Sequence, residues 1–235
     1  DESLDVLYGF PNPKAAPVFK RIGYAQPAHL VRYARALRHA GYLRGRLPAW
    51  LVAPVGWAAD VVIGCRDALA RLRAPSLCSA WADEADARID AVWTESPKDD
   101  GVMAVRDVAH LRWRFDESPL ATTRYLLVKR ARDRALQAWF AVQRIEGTLH
   151  VRDFWSVDGT RGMAAAHVGE LLRAARKLGC TAVSVEICAP DAQRAGWHGV
   201  HFMERSRRPV FMRWTSPDAA FASAPIFLTS ADEDE

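Results

Sequence analysis

Lysine is scarce in this 235-residue chain, at 5 against 27 arginines, and the formal net charge is only +4. Runs of Lys and Arg with interleaved aromatics, a common footprint of nucleic-acid binders, are missing apart from Arg205, Arg207 and Arg208. That absence disfavours a nucleic-acid partner. Cysteine is also sparse. Cys65, Cys78, Cys180 and Cys188 form no CxxC or Cys/His pattern of zinc spacing, which argues against a metal site and a disulfide scaffold and for a reduced, cytoplasmic protein. No long apolar stretch runs without a break. The nearest, Leu47 to Cys65, is interrupted by Pro48, Pro54, Gly56, Asp60 and Gly64. An ionisable residue near the middle of a lone membrane span is costly, so the stretch reads as a buried connecting helix and a membrane partner is disfavoured. Asp1 is followed by no basic n-region and no small-residue cleavage site. No signal peptide is expected, and the chain reads as starting inside a larger polypeptide.

What is present is ordinary globular material, half apolar and 26% charged, enough for a real core. The charge is blocked along the chain: +6 over residues 1–75, −5 over 76–120, +7 over 121–220 and −4 at the end. The two basic blocks suit an anionic ligand or a set of solvated helix faces and ion pairs. Residues 3–10 alternate like a strand, and Asn12 can cap a short helix that stops at Gly23. Residues 28–37 read as a strand or as a basic amphipathic segment. Beyond Pro75 the pattern becomes a regular alternation. It has a strand over 77–82, a helix from Asp83 to before Pro97, and a short helix over 105–112. Strands follow over 125–129, 136–145 and 149–157, the last two joined by Glu146-Gly147. A helix over 164–178 stopped by Gly179, a buried strand over 181–188, another helical piece and a strand over 209–214 complete the set. The acidic residues Asp232 to Glu235 read as a solvated tail.

Three motifs stand out. The first is Asn12-Pro-Lys-Ala15-Ala-Pro-Val-Phe19-Lys-Arg21-Ile-Gly23-Tyr24 after a strand. It resembles the late strand-helix segment N-x-x-A-x-x-x-Y-x-(K/R)-x-G-(F/Y) of the GNAT superfamily of acyl-CoA N-acyltransferases. The second is His110-Leu-Arg112-Trp113-Arg114-Phe115 with Pro119 and Tyr125. It resembles L-x-W-R-(Y/F)…P…Y in the C-terminal part of two-lobed GNAT proteins that accompany polysaccharide biosynthesis, and Trp93 and Val105-Arg106-Asp107 fit the same pattern. Trp113 reads as core and Arg114 as a structural ion pair. The third, Asp158-Gly-Thr-Arg161-Gly162-Met-Ala164, sits where that superfamily has its pyrophosphate loop and matches it in reduced form.

The resemblance implies an α/β fold with a GNAT-like mixed sheet flanked by helices. It divides the chain into a C-terminal remnant of a first lobe (1–40), an apolar helical linker (41–75), a complete second lobe (76–215) and a tail (216–235). It also implies acetyl-CoA or another acyl-CoA as cofactor, with acyl transfer, most simply acetyl, to an amine of a sugar or small metabolite by direct attack on the thioester. Asn12, Arg161 and Gly162 inherit cofactor-binding roles. Phe19 stands where a Tyr often protonates the leaving thiolate, so no catalytic residue is assigned. His110, His150, His167, His198 and His201 form no triad or metal set, and Glu186 is the carboxylate best placed on a buried strand to act as base. Two other activities stay open: a non-catalytic recognition module for an anionic polymer or partner, and tRNA-dependent aminoacyl transfer to a cell-wall precursor.

Overall fold

A computed structural model describes residues 6–119, 121–215 and 224–233. The strands are β1 (Val6–Gly9), β2 (Ala25–Ala36), β3 (Leu77–Ala82), β4 (Val102–Met103), β5 (Arg124–Arg130), β6 (Leu136–Ile145), β7 (Thr148–Ser156), β8 (Ala182–Cys188), β9 (Met203–Trp214) and β10 (Ile226–Thr229). The helices are α1 (Ala16–Arg21), α2 (Ala40–Leu43), α3 (Ala49–Leu72), α4 (Arg88–Glu95), α5 (Val108–Leu111), α6 (Ala165–Lys177) and α7 (Asp191–Gly199). The main sheet runs β1-β9-β2-β8-β7-β6-β5-β3. Its neighbours are antiparallel except β7 and β8, which are parallel.

Local chemistry accounts for most of these elements. Glu146 and Gly147 both take positive φ, the conformation of the two-residue turn that best matches strand twist, and they close the β6–β7 hairpin. In α6, Val168, Leu171, Leu172 and Ala175 recur at helical spacing and are buried against Val183, Val185 and Ile187 of β8 within one core. Gly179, at φ 73°, ends that helix in the left-handed conformation. The ambiguous 28–37 segment is mostly strand β2, whose Val31 and Tyr33 face the same core, joined by Leu37 just beyond its end.

β2 lies between β8 and β9, and β9 also carries β1. Strands from residues 1–40 and from 76–215 therefore share one continuous sheet, on either side of the linker that the sequence places between them. Two expectations are corrected. The apolar stretch is not a buried connecting helix: α3 runs on to Leu72, and only Val52 and Gly56 of it are buried. The acidic end is not a solvated tail at Asp232, whose side chain is 1% exposed. The apolar triplet Ile226-Phe-Leu228 carries it into the sheet.

Candidate functional site

The gap between the two parallel strands is the feature around which any site must be built. β7 and β8 pair from Thr148 with Ala182 to Val151 with Val185 and then part. The divergence begins at a β-bulge on β7: Ala141 opposes Asp153 and Val142 opposes Val151, leaving Arg152 as the extra residue. Such a bulge bends its strand and ends regular pairing. β8 continues, with its far edge held by β2 through Val31 opposite Ile187.

β10 occupies the opened edge. It runs antiparallel to β8, with Leu228 opposite Cys188 and Thr229 opposite Ile187, and its own start pairs with β4. Side chains tie the same segment to β7. Thr229 Oγ1 donates to Asp153 Oδ1 at 3.0 Å, and Ser230 Oγ donates to the Arg152 carbonyl at 3.2 Å. Beneath these contacts lies a buried ionic cluster. The fully buried Arg106 guanidinium reaches Asp153 at 2.9 Å and Asp232 at 2.7 Å, donates to the Ala104 carbonyl at 2.8 Å, and stands 4.7 Å from the Phe227 ring centroid. Burial opposes the Arg106 charge, but the two carboxylates overcome it and raise its pKa. Burial pushes the Asp153 carboxyl upward, with Arg106 opposing and Asp232 adding to the rise. Two further arginines hold the strap from outside. Arg114 donates to the carbonyls of Ala231 at 2.8 Å and Glu233 at 2.5 Å, and Arg208 pairs with Glu233 and with Glu186.

This arrangement explains the second motif. Arg106 and Arg114 are clamps for residues 226–233. Tyr125 is fully buried and donates to Asp116 at 2.8 Å, and burial together with that carboxylate raises its pKa, so it stays protonated. Trp113 is not core: it is 64% exposed, because residues 112–116 form a wider, π-type turn that buries Phe115 and leaves its neighbour outside. Glu186 is an ion-pair partner of Arg208. Burial pushes the Cys188 thiol up to about 11, so it is no ready nucleophile.

The residues assigned to cofactor binding lie in two separate places. Asn12 Oδ1 accepts the N–H groups of Lys14 and Ala15 at 3.0 and 2.9 Å, opening the turn that leads into α1 beside edge strand β1. Phe19 packs edge-on against Tyr24 and Phe211. Arg161 and Gly162 lie four strands away in sheet order, after β7, which is roughly 19 Å at 4.8 Å per strand. Arg161 is exposed. In that loop the N–H groups of Thr160, Arg161 and Gly162 already bond to the carbonyls of Pro97, Asp158 and Gly159. Gly162 sits at φ 97°, and a Cβ there would lie 2.7 Å from the Gln193 backbone. The glycine is thus needed for the approach of α7, whatever else the loop does.

β10 therefore covers the β8 edge of this gap, while only side chains reach across to β7. The strap was legible only in part. Thr229-Ser-Ala-Asp232 has the spacing of a capping box, and the structure shows it: the Thr229 N–H donates to Asp232 and the Ala231 N–H to Thr229. Among the described residues, no group of three or more His, Cys, Asp or Glu is placed to hold a metal.

No family model and no curated protein matches this chain. Solved structures do. A conserved protein of unknown function from Enterococcus faecalis, described as a probable N-acyltransferase, superposes with a TM-score of 0.55 at 9% identity over 90% of this chain and 45% of its own. A GCN5-related N-acetyltransferase from Anabaena variabilis superposes at 0.52 and 11% identity over 90% of this chain and 46% of its own. A functionally unknown conserved protein from Staphylococcus epidermidis does so at 0.51 and 9% identity, over 89% and 73%. The chain spans less than half the length of the Enterococcus and Anabaena proteins. At these identities the likeness speaks for architecture: the chain has the GNAT fold, that of the GCN5-related N-acetyltransferases.

Proposed function

We propose that the chain is part of an acyl-CoA-dependent N-acyltransferase that acylates an amine of a sugar or small metabolite, and that the lobe of residues 76–233 is its non-donor half. The observation that carries this reading is β10 in the gap between β7 and β8, tied there by Thr229, Asp232 and Arg106. The donor then belongs at the other end of the sheet. There Asn12 and α1 follow β1, whose only partner strand among the described residues is β9. Residues 1–40, with the free side of β1, supply a wall of the donor site. The closed lobe supports the acceptor.

Isothermal titration of acetyl-CoA tests this. Saturable binding that is weakened by Asn12→Ala and left unchanged by Arg161→Ala is expected. Saturable binding by the 235-residue chain that is lost in Arg161→Ala would place the donor in the loop after β7 and overturn the proposal. Absence of binding would overturn the acyltransferase reading itself.

A further inference from the structure

The helix α3 is built inside out. Its two carboxylates and Arg71 face the protein: Asp60 accepts the His39 N–H at 2.9 Å and pairs with the His39 ring at 2.6 Å. Asp67 pairs with the buried Arg35 at 2.8 Å and with Arg176 at 2.6 Å, and Arg71 pairs with Glu170 at 3.0 Å. Gly56 belongs to the same face, since a Cβ there would lie 2.8 Å from the Ala40 backbone. At 100° per residue the opposite half of the helix carries Leu51, Val55, Val62, Leu69 and Leu72, with Trp50 and Trp57 along one margin and Arg66 along the other. Leu72 is 83% exposed, Trp50 76%, Trp57 69% and Val62 67%. A surface helix ordinarily does the reverse, and an apolar face this long marks an interaction site.

The charges around it select the occupant. Among residues 41–75 the only acidic groups are Asp60 and Asp67, both turned inward, whereas Arg44, Arg46, Arg66 and Arg73 are exposed near the two ends of the helix. A second copy laid against α3 in either direction would bring arginines against arginines with no carboxylate between them. Beside the helix a cavity of about 470 Å³ is lined by Arg46, Arg66, Arg205, His39 and His201 and by no carboxylate. Burial, with Arg66 and Arg35 nearby, lowers the His201 pKa, as a positive surrounding should. Basic residues at the ends of an apolar face, tryptophans at its margin and a cationic cavity alongside match an anionic lipid surface.

We propose that α3 docks the protein onto an anionic phospholipid bilayer, its apolar face lying in the interface and the adjoining cationic cavity receiving a lipid phosphate headgroup. The helix lies on the bilayer and does not cross it, because Asp60, Asp67 and Arg71 hold it to the body along its length. This inference is independent of where an acyl donor binds.

Co-sedimentation of the whole chain with vesicles tests it. Vesicles of phosphatidylcholine with one-third phosphatidylglycerol are expected to pellet the protein, and pure phosphatidylcholine to pellet little of it. Val62→Glu abolishes pelleting, and Arg46→Glu combined with Arg66→Glu weakens it roughly tenfold or more. Both variants lie on exposed positions and should keep the native circular dichroism spectrum. Failure of the unaltered chain to bind phosphatidylglycerol vesicles would overturn the proposal, as would equal binding by Val62→Glu. A dimer in solution that Val62→Glu splits, with no vesicle binding, would assign the face to a second copy and equally overturn it.

Discussion

Replacing Arg106 with Ala should free the strap before it unfolds the protein. The guanidinium is fully buried, and its two carboxylate partners, Asp153 and Asp232, are each 1% exposed. Removing one side of a buried ion pair costs about 3–5 kcal/mol, because the remaining charge is left without a partner. The molecule has two ways to respond. It can keep β10 in place and protonate the carboxylates, or it can let β10 leave and return Asp232 to water. Leaving exposes chiefly Phe227 and Leu228, at about 1.5–3 kcal/mol each, so the second response is comparable in cost to the first. Hydrogen exchange read by mass spectrometry separates the two. Release predicts that peptides covering 226–232 and 186–188 lose protection, while β5 and β6 keep theirs. The melting temperature should fall by about 5–15 °C. Combining Arg106→Ala with Asp232→Asn should be strongly non-additive, since the two groups share one interaction. Unchanged protection over 226–232 together with an unchanged melting temperature would refute the claim that this cluster pins the strap.

Asp153→Asn probes the same cluster through pH. The native carboxyl has its pKa raised by burial, so the folded state holds that proton more tightly than the unfolded chain does. Its contribution is fully present below the ordinary aspartate value near about 4 and is lost as pH rises through the raised folded value. The stability of Asp153→Asn relative to the native protein should therefore increase with pH, as read from denaturant midpoints between acid and neutral. Gly162→Ala meets both a positive φ and the Gln193 backbone 2.7 Å away, and a loss of roughly 2–4 kcal/mol in urea unfolding is expected. Asp67→Ala leaves the buried Arg35 without its carboxylate. With Asp67 itself 24% exposed, about 2–3 kcal/mol is expected, along with faster amide exchange in α3 than in α6.

The alternation of elements beyond Pro75 was readable because each carries its own local signal. Examples are the Glu146-Gly147 turn, the Gly179 stop and the apolar run of β8. Trp113 was misread because a Trp flanked by arginines looks like core until the backbone is seen to widen into a π-type turn there. The partner of Glu186 is out of the sequence's reach for a related reason. A carboxylate on a buried strand looks poised for proton transfer until Arg208, 22 positions away, is found paired to it. α3 shows the opposite failure. Its apolar content was plain, but which face turns inward depends on His39, Arg35, Arg176 and Glu170, and nothing in its own composition names them.

By itself, the sequence determined the strand and helix order beyond Pro75 and the strand with its following helix near the start of the chain. These follow from spacings of a few residues, which set local backbone geometry directly. Only the tertiary structure decided that β2 completes the sheet beside β8, that β10 fills the gap between β7 and β8, and that Asp232 is buried against Arg106. Each of those joins residues far apart in the chain, Arg106 and Asp232 by 126 positions. Such contacts depend on which strand edges remain open once the rest of the sheet has formed.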